Sequence, residues 1–115
     1  MSLEEQLFSA LDVDAVRALA TEIAPDSVPL NKGLPCVQYA RLATEYQQVL
    51  DGTVAAARGT FEVFSMAASR TDAEALCDAV ESACVAALIV ISGRRHEFDP
   101  EHDLYATVLT VDVWS

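Results

Sequence analysis

The sequence predicts an α+β fold: a small, mainly antiparallel sheet with helices packed on one side. Three observations predict it. Apolar residues recur at helical spacing in two regions that open with N-cap signals. Four other stretches alternate or run apolar at strand length. No internal repeat, low-complexity run or linker divides the 115 residues, so a single domain spanning residues 1–115 is expected. A chain of this size buries roughly two-thirds of the surface its unfolded form exposes, enough for a core without staples.

The elements follow in order. Leu3, Leu7, Phe8 and Leu11 fall on one helical face, and Ser2 with Glu5 forms a capping box ahead of them. Asp12 offers a second N-cap for a shorter helix with Val13, Val16 and Leu19 as its apolar residues. Pro25, Pro29, Pro35 and Gly33 then forbid a continuous helix, leaving room for a short strand at Thr21–Ala24 and an irregular connection. Cys36–Leu42 reads as a strand, Asp51-Gly52 as a turn, and Gly59–Ala67 as a second strand. That second strand is apolar on both faces, so both are expected to touch protein. Thr71 and Glu74 suggest a capping box for the clearest helix, whose buried stripe would be Leu76, Val80, Ala83, Ala87 and Leu88, flanked by Ala73, Cys77 and Cys84. Gly93 suits the position past that helix. Gly93–Asp103 lacks a period and reads as a loop or a hairpin with a mobile tip. Leu104–Trp114 closes the pattern as a strong strand, available for edge pairing.

Composition excludes several classes. Eighteen acidic against seven basic residues give −11, yet 52% of the chain is hydrophobic, unlike a disordered acidic tail. The longest apolar run, Ala83–Ile91, is nine residues, half of what a membrane span needs, so no membrane partner is expected. No basic n-region followed by an apolar run suggests secretion. The negative balance argues against nucleic-acid binding, which is carried by Lys and Arg. Three cysteines cannot all pair and match no zinc spacing, which favours a reducing cytosol.

No constellation points to catalysis, and no cofactor or metal is expected. His96 and His102 lie six apart, beside Asp99 and Glu101, without the helical spacing of zinc ligands. Four glycines stand singly, so no phosphate-binding loop can be written, and no nucleophile elbow is present. Cys77 and Cys84 share the inner edge of one helix, as core cysteines do. Two surfaces stand out instead. Glu74, Asp78 and Glu81 form an acidic helical stripe facing solvent or a channel. Arg94, Arg95, His96 and Phe98 form a candidate docking loop. Charge is uneven as well: residues 1–30 hold six acids and one Arg, whereas residues 31–70 are nearly balanced, with four basic residues against three acids. Net charge of this kind favours solubility, and its sharper reading is a polarised protomer, acidic where it meets solvent or DNA and neutral where it meets neighbours.

The joint order of several weak motifs resembles a known family. Glu22-Ile23-Ala24-Pro25-Asp26-Ser27-Val28-Pro29 leads to Leu34-Pro35-Cys36-Val37-Gln38-Tyr39. Leu50-Asp51-Gly52, Arg58-Gly59-Thr60-Phe61-Glu62-Val63, the Ala-rich helix from Ala73 and the ending from Asp103-Leu104-Tyr105 to Val113-Trp114 complete it. The run resembles the tail completion (tail terminator, tail-to-head joining) proteins of long-tailed phages, although Cys36 stands where an aromatic is expected. The resemblance implies a non-enzymatic virion protein at the head-proximal end of the tail, assembled in the host cytoplasm. It implies a homo-oligomeric ring, typically a hexamer, whose partners are the tail tube protein and the head connector or stopper protein. It carries over no catalytic residues. An acidic cytosolic adaptor or inhibitor, prophage-encoded and binding a basic protein, is the alternative reading.

Overall fold

The computed structural model describes residues 2–26, 33–48, 52 and 54–114. Helix α1 (Leu3–Leu11) starts as its capping box predicts, with Ser2 Oγ accepting from the Glu5 N–H at 3.1 Å. Its apolar face buries Leu3, Leu7 and Leu11. Helix α2 (Asp14–Arg17) is capped by Val13, with no side-chain hydrogen bond. Asp12, expected as that cap, instead accepts from Arg17 Nε at 2.7 Å. Only Val16 of the three expected apolar residues turns inward, because one helical turn presents one residue to the core.

Five strands form one sheet in the order β1-β2-β3-β5-β4. Strand β1 (Glu22–Pro25) pairs parallel with the start of β2 (Cys36–Gln48), from Glu22↔Cys36 to Pro25↔Tyr39. All other pairs are antiparallel: β2 with β3 (Val54–Ala67), β3 with β5 (Leu104–Trp114), and β5 with β4 (Val90–Asp99). Strand β5 therefore lies inside the sheet and has no free edge, contrary to the expectation that it would offer one. The edge is β4, formed by the region read as either loop or hairpin. It is a hairpin, turned at residues 100–103, where Asp103 adopts φ +49.

Helix α3 (Arg70–Ala86) packs with α1 and α2 on one face of the sheet. Its cap is Ser69, whose Oγ accepts from the Asp72 N–H at 3.2 Å, rather than Thr71. Leu76, Cys77, Val80 and Cys84 meet Phe61, Val63, Leu109 and Val111 in the main core. The stripe stops short of its expected end, for Ala87 and Leu88 are exposed. The helix closes there: Ile89 N–H reaches Cys84 O at 2.9 Å and Leu88 N–H reaches Val85 O at 3.1 Å, the paired bonds of a Schellman ending. Leu88 occupies its left-handed position at φ +61, a conformation that costs an L-residue about 1–2 kcal/mol. Gly93, expected there, lies in β4 beside a bulge between Ile91 and Gly93.

The far face of β3 is also apolar-packed, as its two-sided pattern predicts. Cys36, Met66, Ala106 and Val108 form a second, smaller cluster with Phe64 and Leu104 against it. Strands β2 and β3 run well beyond the expected Leu42 and Gly59. Pairing of β3 with β5 ends at Arg58↔Trp114, and the remaining β2–β3 hairpin projects as an arm from a molecule of 52 × 29 × 25 Å. Gly52 takes φ +86, as a turn glycine does, while Asp51 lies outside the described residues.

Candidate functional site

The two surfaces singled out in the sequence face each other. Strand alternation directs Arg94, His96 and Phe98 toward α3 and Arg95 to the opposite face. Arg94 binds Asp78 at 2.9 Å and Glu81 at 3.1 Å, and His96 Nε2 lies 3.2 Å from Glu74. His96 Nδ1 lies 3.3 Å from Thr107 Oγ1 on β5. The acidic stripe and the basic edge strand thus form one seam between helix and sheet. Spacing explains the match. Four helical residues from Glu74 to Asp78 advance about 6 Å, and two strand residues from Arg94 to His96 advance about 6.6 Å in the opposite chain direction.

The remaining members of the edge strand are engaged too. Arg95 pairs with Glu62, and with Glu97 at 3.0 Å. Phe98 packs on Tyr105 with ring centroids 4.6 Å apart, and the Arg70 guanidinium lies 5.5 Å from the same Tyr105 ring. Beside Phe98 a hollow of about 210 Å³ opens between Phe64, Met66 and Leu104.

All six arginines have partners within the chain. Arg17 pairs with Asp12 and lies over Phe8, Arg41 pairs with Glu4 and lies over Phe61, and Arg58 pairs with Glu45 and lies over Trp114. Arg70, Arg94 and Arg95 complete the set. The remaining basic residue, Lys32, lies outside the described residues. Among the described residues, then, no cluster of free cations presents itself to a phosphate backbone.

The thiols are equally withdrawn. Cys36, Cys77 and Cys84 are free and buried. Burial pushes Cys77 and Cys84 up to about 11, and burial with the nearby Glu22 charge raises Cys36. Protonated buried thiols act as small hydrophobes, not nucleophiles. At the β4–β5 turn, Asp99, Glu101 and His102 bring ligand atoms within 4.8 Å of one another. His102 Nδ1 hydrogen-bonds Asp99 at 2.7 Å, and that bond holds the Asp99 carboxyl below its ordinary range. The turn's own hydrogen bonds account for this grouping.

The sequence did not signal the β2–β3 arm. Its outer part, with Glu45, Gln47 and Ala56-Ala57, has little strand propensity, and a two-stranded ladder without a core leaves no burial pattern to read. A bulge at Leu42, between Arg41 and Ala43, also breaks the alternation at the arm's base.

A comparison with curated protein sequences finds no match. Among solved structures, a chain titled "Virion of native gene transfer agent (GTA) particle" is similar at 18% identity and a TM-score of 0.67. The alignment covers 98% of this chain and 90% of that one, and establishes the likeness in fold. The family model described as "Tail completion protein gp17" matches residues 5–115, nearly the whole α+β domain, so the chain belongs to that family of structural phage-tail proteins found in the virion.

Proposed function

We propose that copies of the chain close into a ring, typically a hexamer, that ends the phage tail tube and joins it to the head connector. The observation that carries this reading is the family match across residues 5–115. The role is structural and non-enzymatic, and the partners are further copies of the chain, the tail tube protein and the head connector or stopper protein. Within this reading, the β4–β5 hairpin with Arg94, Arg95, His96 and Phe98 docks on the tube or connector. Phe98 and the hollow beside it supply its apolar contact. The stripe of Glu74, Asp78 and Glu81 faces the channel or solvent, and DNA passes the ring without being gripped. The ion pairing of five of the six arginines within the chain supports that last point, since phosphate affinity needs free cations.

Particles made without the protein, imaged by electron microscopy, test the proposal. Filled heads and tails that fail to join, restored to joined particles by supplying the protein, are expected. Joined particles at normal yield in its absence would overturn it.

A further inference from the structure

Among the described residues, five exposed apolar side chains lie at one end of the molecule in two groups on different elements, with half-exposed Trp114 on β5 between them. The first is on the arm, where Leu42 is 56% and Tyr46 64% exposed. The second surrounds the end of α3 and the start of β4, where Val85, Leu88 and Val90 are 60%, 90% and 52% exposed. Neither group belongs to either apolar cluster of the fold. Strand order separates them laterally. At this end β1 no longer covers β2, so the arm lies at one side of the sheet and the β4 edge at the other.

We infer that the arm of one copy packs, through Leu42 and Tyr46, on the Val85–Leu88–Val90 knob of the next copy. The inference rests on the ring reading above and names the contact that builds the ring. Charge identifies the occupant. Two chains at −11 repel wherever their acidic surfaces meet, but no acidic residue occurs from Ser82 to His96. From Arg41 to Thr60 two arginines balance two acids. These two segments carry little net negative charge, so like-charged copies repel least where they meet, whereas a basic partner would seek the acidic surfaces elsewhere. Leu88 adds a second argument. A large aliphatic residue holds the left-handed helix ending, where Gly is favoured, and spends its side chain on solvent. That side chain joins neither apolar cluster of the described residues. Two unlike groups at opposite sides make a head-to-tail contact, the kind that closes into a ring when its rotation allows.

Two single variants and their mixture test this. Leu88→Gly relieves the left-handed backbone and removes the knob, so its melting temperature should equal or exceed that of the parent while association weakens at least tenfold. Tyr46→Ser, on the exposed arm, should keep the parental melting temperature and weaken association similarly. Mixing the two leaves one intact arm facing one intact knob, so native mass spectrometry should show a one-to-one pair that neither variant forms alone. Folded variants that assemble like the parent, or a mixture without pairs, would overturn this contact while leaving the ring reading intact. A parental protein that stays monomeric at every concentration would overturn both.

Discussion

Gly59 sits on β3 where α1 crosses the sheet. A Cβ there would lie 2.8 Å from Leu3 Cδ1 and 2.9 Å from the Phe61 ring, both in the buried core. Gly59→Ala should therefore destabilise the fold by about 1–3 kcal/mol, the range for overpacking a filled core, as measured by urea unfolding. The same core sets an alkaline limit. Cys77 and Cys84 titrate at about 11 when folded, against 9.0 for an unperturbed thiol. Between those values the unfolded chain holds fewer protons than the folded one, so stability is full below pH 9 and declines as pH rises toward 11. A Cys77→Ala/Cys84→Ala protein should start about 2–3 kcal/mol less stable from lost packing, yet lose less between pH 8 and about 10.5 than the parent. Urea midpoints that fall in parallel for the two proteins would contradict the assignment.

Helix and strand boundaries decide which element-level changes matter. Ser69→Ala removes the side-chain cap of α3 and should cost about 1 kcal/mol, whereas Thr71→Ala, one position inside the helix, should stay within about 0.5 kcal/mol. Thermal unfolding of the pair distinguishes them. Shortening the turn at residues 100–103 should leave the fold intact. Deleting residues 94–99 unpairs β5 from Leu104 to Leu109, leaves that stretch as an open edge, and should yield aggregates in size-exclusion chromatography. These expectations also show what the sequence could reveal. Helix α1, the inner residues of α3 and strand β5 were legible because a dense core imposes a strict period on them. The cap of α3 was misplaced at Thr71 because Ser69, two residues earlier, has the same capping chemistry, and only the position of the preceding strand chooses between them. Strand β4 hid its period because its inward positions hold Arg94 and His96, polar residues that meet the acids of α3. The candidate residues were visible by type, while their mutual pairing depended on the chain reversing after Leu88.

For the whole molecule, charge sets the conditions of association. Six copies at −11 would carry a formal −66, and added salt shortens the reach of that repulsion from about 30 Å at 0.01 M to about 10 Å at 0.1 M. Light scattering should therefore show assembly increasing as salt rises. Assemblies that dissolve on adding salt would instead indicate contacts held by ion pairs. The acidic surface, with five of its six arginines already ion-paired, should also leave double-stranded DNA unbound in gel-shift assays at low salt. Micromolar binding under those conditions would contradict the internal commitment of the cations.

The central place of β5 also bears on how the chain is made. Strand β3 emerges from the ribosome before β4, but both must wait for β5, which separates them in the finished sheet. The stretch from Ala67 to Trp114 takes roughly 2–10 s to synthesise at about 5–20 residues per second. Throughout that interval Phe61 and Val63 have no Leu109 or Val111 to pack against, so the main core stays incomplete. Synthesis thus imposes a timer: the five-stranded sheet cannot close until translation has passed Trp114.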